Sequence, residues 1–177
     1  MKKTIFYTVL AVLAFMGSAV YFSACKQDPC VTRAVECMNG GTCKDGDCLC
    51  TVGYEGDSCQ HKVNKKFNSP YACIRTRITG TLNQDDDDTL IMKAKSDNFG
   101  VQFYSIRDSI HEVFDGTVSA NSLNIPEQTK DSVTKYATYK GSGSLNNGVL
   151  TITLFRNWTD SLINYSSKTT YVGYKYE

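Results

Sequence analysis

The chain has 177 residues, 41% of them hydrophobic, and a formal net charge of +1 at pH 7. That length allows a small module plus one ordinary domain, and no tandem repeat is present. Without Lys2 and Lys3 the 19 basic side chains fall to 17 against 18 acidic ones, so the surface is near neutral. No basic face exists that would condense on phosphate, which disfavours nucleic acid as a partner.

The N-terminus has the grammar of a signal sequence. Lys2 and Lys3 precede a nearly continuous apolar stretch from Ile5 to Phe22, and the small pair Ser23-Ala24 then leads to Cys25. The stretch is long for a signal core and nearly spans a bilayer. A retained anchor and a plain secretory cut after Ala19 therefore stand beside cleavage before Cys25. In each case the lysines stay inside and the residues after 25 lie beyond the inner membrane. Phe22-Ser23-Ala24-Cys25 resembles a bacterial lipobox, with Phe22 where Leu is usual. That resemblance implies a signal peptide over 1–24 and a lipid on the Cys25 thiol. Cys25-Lys26-Gln27-Asp28 resembles the surface-export tether of Bacteroidota lipoproteins, which implies a tether over 25–27 on an outer-membrane or cell-surface protein.

Residues 28–62 hold six of the eight cysteines: Cys30, Cys37, Cys43, Cys48, Cys50 and Cys59. So short a segment buries too little apolar surface to fold unaided. Disulfides must stand in for the core, and the segment folds only where thiols oxidise. Spacing alone leaves the pairing open. Lys44-Asp45-Gly46-Asp47 supplies turn chemistry for a hairpin between Cys43 and Cys48. Gly53 and Gly56 allow tight bends back to Cys59, with Tyr54 as the packing residue. With Asn39-Gly40-Gly41-Thr42 before Cys43 and Gly53-Tyr54-Glu55-Gly56 in the last loop, the spacing resembles an EGF-like module. The resemblance implies the pairs Cys30–Cys43, Cys37–Cys48 and Cys50–Cys59, each worth about 2–3 kcal/mol by loop entropy. It also implies a rigid spacer. Lys26-Gln27-Asp28-Pro29 stands where some such modules carry an acidic calcium motif, so neither metal nor cofactor is expected. Cys25 and Cys73 are left over: a lipid on Cys25 makes Cys73 an odd thiol, and without one the two would pair.

A polar linker over 63–69, with Asn64-Lys65-Lys66, leads to a β-domain over 70–177 rich in Thr, Val, Ile, Tyr and Phe. Strands are predicted near 71–82, 89–95, 99–106, 111–119, 122–126, 133–145, 148–156 and 167–176. Asn147-Gly148 suits the twist of an antiparallel hairpin. Beyond it Leu150, Ile152 and Leu154 alternate with Thr151, Thr153 and Phe155, as in a half-buried strand. Ile74, Thr76 and Ile78 repeat the pattern opposite Arg75 and Arg77. The fold class is thus all-β: an antiparallel barrel or sandwich of seven or eight strands, its interior mostly filled by side chains, with no large cavity. Gly116-Thr117-Val118-Ser119 and Leu123-Asn124-Ile125-Pro126-Glu127-Gln128, then Gly141-Ser142-Gly143-Ser144, resemble lipocalin-like β-domains of small Bacteroidota lipoproteins. That resemblance implies, as an alternative function, carriage of a small apolar ligand.

Candidate chemistry is sparse, and no catalytic residue is assigned. His61 and His111 are far apart in the chain, and neither has a second histidine to complete a metal set or triad. His111-Glu112 reads as an exposed strand pair. Cys73 shares a strand face with Arg75 and Arg77, which would lower a thiol pKa, but reads as a structural thiol. Asp85 to Asp88 reads as a solvated hairpin loop without the glycine and distant glutamate of a calcium loop. Asp followed by Ser or Thr and an aliphatic residue recurs, placing Thr89, Ser109, Ser132 and Ser161 in a pattern that resembles the O-glycosylation site of exported Bacteroidota proteins. The same triplets also read as turn starts. Trp158, Tyr165, Tyr171, Tyr174 and Tyr176 crowd the C-terminus. Val172, Tyr174 and Tyr176 share the more apolar strand face and are expected in the core. Tyr171 and Lys175 then face outward near Trp158, as an aromatic surface for a surface glycan or protein partner. The expectation is a non-enzymatic protein, held to the membrane by its lipid, that works by binding or adhesion.

Overall fold

The computed structural model describes residues 28–107, 112–132 and 135–176. The signal segment, Cys25, Ser109 and His111 lie outside the described residues.

Asp28 starts the disulfide module by capping one helical turn, α1 (Pro29–Thr32); its carboxylate accepts from the Cys30 N–H at 2.9 Å. Two small ladders follow, β1 (Thr42–Lys44) with β2 (Asp47–Leu49) and β3 (Tyr54–Glu55) with β4 (His61–Lys62). Asp45 and Gly46 both take positive φ, 54° and 93°, which is how a two-residue turn matches the twist of its strands. The disulfides are Cys30–Cys43, Cys37–Cys48 and Cys50–Cys59, the pairing that the EGF resemblance implies. Across 28–62 only Gly53 and Cys59 are buried, while Val31, Met38, Leu49 and Val52 are exposed. Crosslinks hold this segment; apolar burial does not.

The polar linker expected over 63–69 is instead part of the barrel. Val63–Phe67 forms a 3-10 helix in which Val63, Asn64 and Phe67 are buried. Lys65 and Lys66 make the stretch look polar, but Lys65 faces solvent and Lys66 pairs with Glu55 of the module at 2.7 Å. The Asn64 amide donates to the carbonyls of Lys95, Asp97 and Gly100 at 2.8–3.3 Å. Lys62 Nζ donates to the Ser96 carbonyl at 2.6 Å. Module and barrel are therefore tied together at the loop over 95–99.

Eight strands close the barrel: β5 (Ser69–Thr79), β6 (Leu82–Ala94), β7 (Gly100–Ser105), β8 (Phe114–Ser119), β9 (Ser122–Ser132), β10 (Lys135–Asn146), β11 (Val149–Asp160) and β12 (Ile163–Lys175). They run antiparallel in chain order, and β12 pairs back onto β5, so the sandwich alternative does not apply. Closure gives every strand two neighbours, although β6 meets β7 only over Leu90–Ala94 and β9 meets β8 only over Ser122–Asn124. Asn147 and Gly148, at φ 49° and 79°, make the expected hairpin turn. At the module end Phe67, Tyr71, Leu90, Met92, Val101, Phe103, Leu123, Ile125, Leu150 and Ile152 pack the interior, all at most 2% exposed.

Alternation holds in β11, where Leu150, Ile152 and Leu154 are buried as expected. In β5 and β12 the face is the opposite of the expected one. Tyr71, Cys73, Arg75 and Tyr171 point inward, whereas Ile74 is 58% exposed and Val172 43%. Tyr171 pairs with Arg75 and Val172 with Ile74, so the two strands must invert together. Three things favour this register. The ring of Tyr71 fills the barrel end and its hydroxyl donates to the Phe67 carbonyl at 3.2 Å. Gly173 leaves room for its neighbours, since a Cβ there would run into the Cys73 sulfur and the Ala72 carbonyl. Arg75 finds carboxylates inside, as described below.

Cys73 is the free cysteine among the described residues and is buried. Burial raises its thiol pKa from 9.0 to about 11, and the Asp88 carboxylate adds to the rise. The neighbouring arginines do not make it reactive, contrary to the effect read from its strand face. A raised folded pKa stabilises the fold fully below pH 9 and is lost as pH climbs through about 11. Burial also raises the Tyr71 pKa, which acts in the same direction. The barrel is thus expected to lose urea resistance between pH 9 and 11, and to lose less of it as Cys73→Ala. At neutral pH iodoacetamide should modify Cys73 only after unfolding. Rapid native-state labelling would contradict this assignment.

Candidate binding surface

β7 and β8 have six residues each, against 11 to 13 in the other six strands. Away from the module, at the distal end, the wall therefore consists of β9 to β12 with β5 and β6. There the interior turns polar.

Asp85 to Asp88 lies within β6 and not in a hairpin loop; its four residues pair with Thr76, Arg75, Ile74 and Cys73. Strand alternation turns Asp86 and Asp88 inward and Asp85 and Asp87 outward, which separates like charges. Arg75 sits 3.1 Å from Asp86 and 3.6 Å from Asp88, and Arg107 reaches Asp86 at 3.3 Å. Ser105 Oγ donates to Asp88 at 2.6 Å. The Arg75 hydrogen bond holds the Asp86 carboxyl below the usual carboxylate range. A run that looks too charged for a strand is accommodated because cations on neighbouring elements meet it in register.

Further round the distal wall, Arg156 on β11 lies between two rings. Its guanidinium carbon is 4.8 Å from the Trp158 ring centroid and 5.6 Å from that of Tyr139. Trp158 stacks in turn on Tyr165, centroids 5.5 Å apart and planes 14° from parallel. The result is a column of Tyr139, Arg156, Trp158 and Tyr165 across three adjacent strands. Both rings are within cation–π reach of the guanidinium. Arg156 Nε is buried and has no hydrogen-bond partner in the structure.

Trp158 is half-buried and packs against the core. Tyr171 does not join it on the surface: it is 3% exposed and belongs to the core. Lys175 is exposed but pairs with Tyr71 at the module end, far from the distal hairpin that carries Trp158. The expected grouping of Trp158, Tyr171 and Lys175 is therefore not formed, because the inverted face of β12 buries Tyr171. Instead Tyr174 and Tyr176 face outward with Ile74, Ile106 and Val172, along a groove of about 730 Å³ on the outer wall. A second groove, of about 430 Å³, runs at the distal end past Tyr136, Thr138, Asn157, Trp158, Asn164 and Tyr165.

Of the hydroxyls in the recurring triplets, Ser161 is exposed at the β11–β12 turn with φ 49°. Thr89 is half-buried within β6, so the turn-start reading does not hold for it. Ser132 ends β9, opposite Lys135. Among the described residues no group of three or more His, Cys, Asp and Glu side chains is placed to hold a metal ion.

No family model, curated protein or solved structure matches this chain. Arg156 and Tyr139 were not singled out from sequence. A signal for Arg156 was present, since the alternation of Leu150, Ile152 and Leu154 continues inward to Arg156 and Trp158. A signal for Tyr139 was present too, since counting back from the Asn147-Gly148 turn the uninterrupted β10–β11 register pairs it with Arg156.

Proposed function

We propose that this chain is an exported lipoprotein of the outer membrane or cell surface, anchored through Cys25. Its disulfide segment is an EGF-like module acting as a rigid spacer, and its barrel, lipocalin-like in kind, binds a surface glycan or protein partner without catalysis. The observation that carries this reading is the polarity of the barrel along its axis. The end tied to the module is packed with apolar side chains, and the distal end offers rings, guanidinium and amides. A spacer fixed to the packed end would hold the polar end away from the membrane. Carriage of a small apolar ligand is the weaker alternative, because apolar side chains already occupy the apolar half of the interior. Ser161, exposed on the distal hairpin, is the best placed of the O-glycosylation candidates.

The anchor is tested directly. Cys25→Ala is expected to release the protein from membranes into the soluble fraction, and labelled palmitate is expected to enter the wild-type chain alone. A wild-type protein that stays membrane-bound without taking up label would end the lipoprotein reading.

A further inference from the structure

We propose that the outer-wall groove over β12, β5 and β6 is a docking site for a segment of a partner protein that carries Lys or Arg among aliphatic residues. The proposal rests on the protein-binding form of the function above and names the chemistry of the partner.

The groove follows from the inverted faces of β5 and β12. Turning Tyr71, Cys73, Arg75 and Tyr171 inward puts Ile74, Val172 and Tyr174 outside. Tyr174 and Tyr176 are 65% and 56% exposed, and Ile106 is 50% exposed. These side chains form one patch, because Val172 pairs with Ile74, Tyr174 with Ala72, and the Tyr176 N–H donates to the Pro70 carbonyl at 3.0 Å. Exposed apolar surface gathered in one place marks a face that another molecule covers. Its concave shape comes from a single row of side chains. Tyr174, Ala72 and Thr89 lie side by side on β12, β5 and β6, and Ile106 follows, its N–H donating to the Thr89 carbonyl at 2.9 Å. Small side chains in the middle and large ones at the ends make a trough of about 730 Å³, which suits an inserted aliphatic side chain.

Charge selects the partner. The row of Val172 and Ile74 ends on Asp87, and the next row, through Thr76, ends on Asp85. Both residues are exposed, and neither carboxylate has an ion pair or hydrogen bond among the described residues. Arg107 is the one cation lining the groove, and it is taken up by the Asp87 carbonyl at 2.9 Å and the Asp86 carboxylate at 3.3 Å. A Lys or Arg of the partner would meet two open carboxylates while its alkyl stem lay on Ile74 and Val172. A second copy of this chain fits less well. A two-fold contact sets the same patch against itself, bringing Asp85 and Asp87 against their own copies or against the apolar rows. A small molecule also fits less well, since a trough on an outer wall covers only one side of its occupant.

The full-length protein, in discs of a zwitterionic lipid and carbon-13-labelled at the isoleucine methyls, is titrated with three peptides of equal length. One alternates Leu with Lys, one Leu with Glu and one Ser with Lys; empty discs are the blank. The expected result is a shift of the Ile74 and Ile106 methyls with the Leu–Lys peptide, weakened by salt, while those of buried Ile125 and Ile152 stay in place. Tyr174→Ala should weaken that binding about fivefold or more, as for an aromatic anchor. Asp87→Asn should weaken it about two- to fivefold, the range of an exposed ion pair, and reduce its dependence on salt. Both positions are exposed, so both variants should keep the fold. Equal binding of the Leu–Lys and Leu–Glu peptides, unchanged by Asp87→Asn, would overturn the cationic partner and leave protein binding standing. Equal binding of the Ser–Lys peptide would overturn the apolar trough. Concentration-dependent shifts of Ile74 and Ile106 without peptide would assign the groove to a second copy and overturn the proposal. Absence of binding by every peptide would remove the inference with the protein-partner form of the function and leave its glycan form.

Discussion

Phe67→Ala is expected to destabilise the barrel by about 3–5 kcal/mol, the range for removing a fully buried aromatic ring from a packed interior. Phe67 is 0% exposed, in a 3-10 helix that closes the module end of the barrel. It packs in the same cluster as Tyr71, Met92 and Val101, whose side chains cannot follow a lost ring without moving strand backbone. A domain of this size has about 5–15 kcal/mol to lose, so the variant should unfold at a markedly lower urea concentration. Lys65→Ala, two residues earlier and exposed, should leave the midpoint unchanged. If Phe67→Ala melted like the wild type, the 3-10 helix would be a linker after all.

Reduction is the second large effect. The three disulfides close loops with sequence separations of 13, 11 and 9 residues. Loop entropy assigns each about 2–3 kcal/mol, or roughly 6–9 kcal/mol for the set. Against that loss the module buries only Gly53 and Cys59 within 28–62, so nothing else retains its fold. The barrel contains no disulfide among its described residues, and its one cysteine is buried as a thiol. Hydrogen exchange read by mass spectrometry after reduction should show amides over 28–62 unprotected and those of β5 to β12 still protected. Val63–Phe67 should stay with the barrel, since the Asn64 amide is held by three carbonyls of the strands and loop beside it. One cooperative transition that melted both parts under reductant would contradict this division.

By itself the sequence determined the features that arise from local chemistry. The cysteine spacing left fifteen pairings open, and its resemblance to an EGF-like module implied the one that forms. Asn147-Gly148 carried its hairpin, because few residues take positive φ at two successive positions. Leu150, Ile152 and Leu154 carried the buried face of β11, because no competing pattern stands on its other side. Only the tertiary structure decided which faces of β5 and β12 point inward. Each presents an apolar and a mixed face, and the choice depends on the partner strand: Arg75 is affordable inside solely because Asp86 and Asp88 on β6 meet it. The same cross-strand pairing turned an acidic run from a loop into a strand. It also buried Tyr171, and it brought Tyr139, Arg156, Trp158 and Tyr165 into one column from three separate strands. Register sets such contacts, and register is a property of the closed barrel that no single segment encodes.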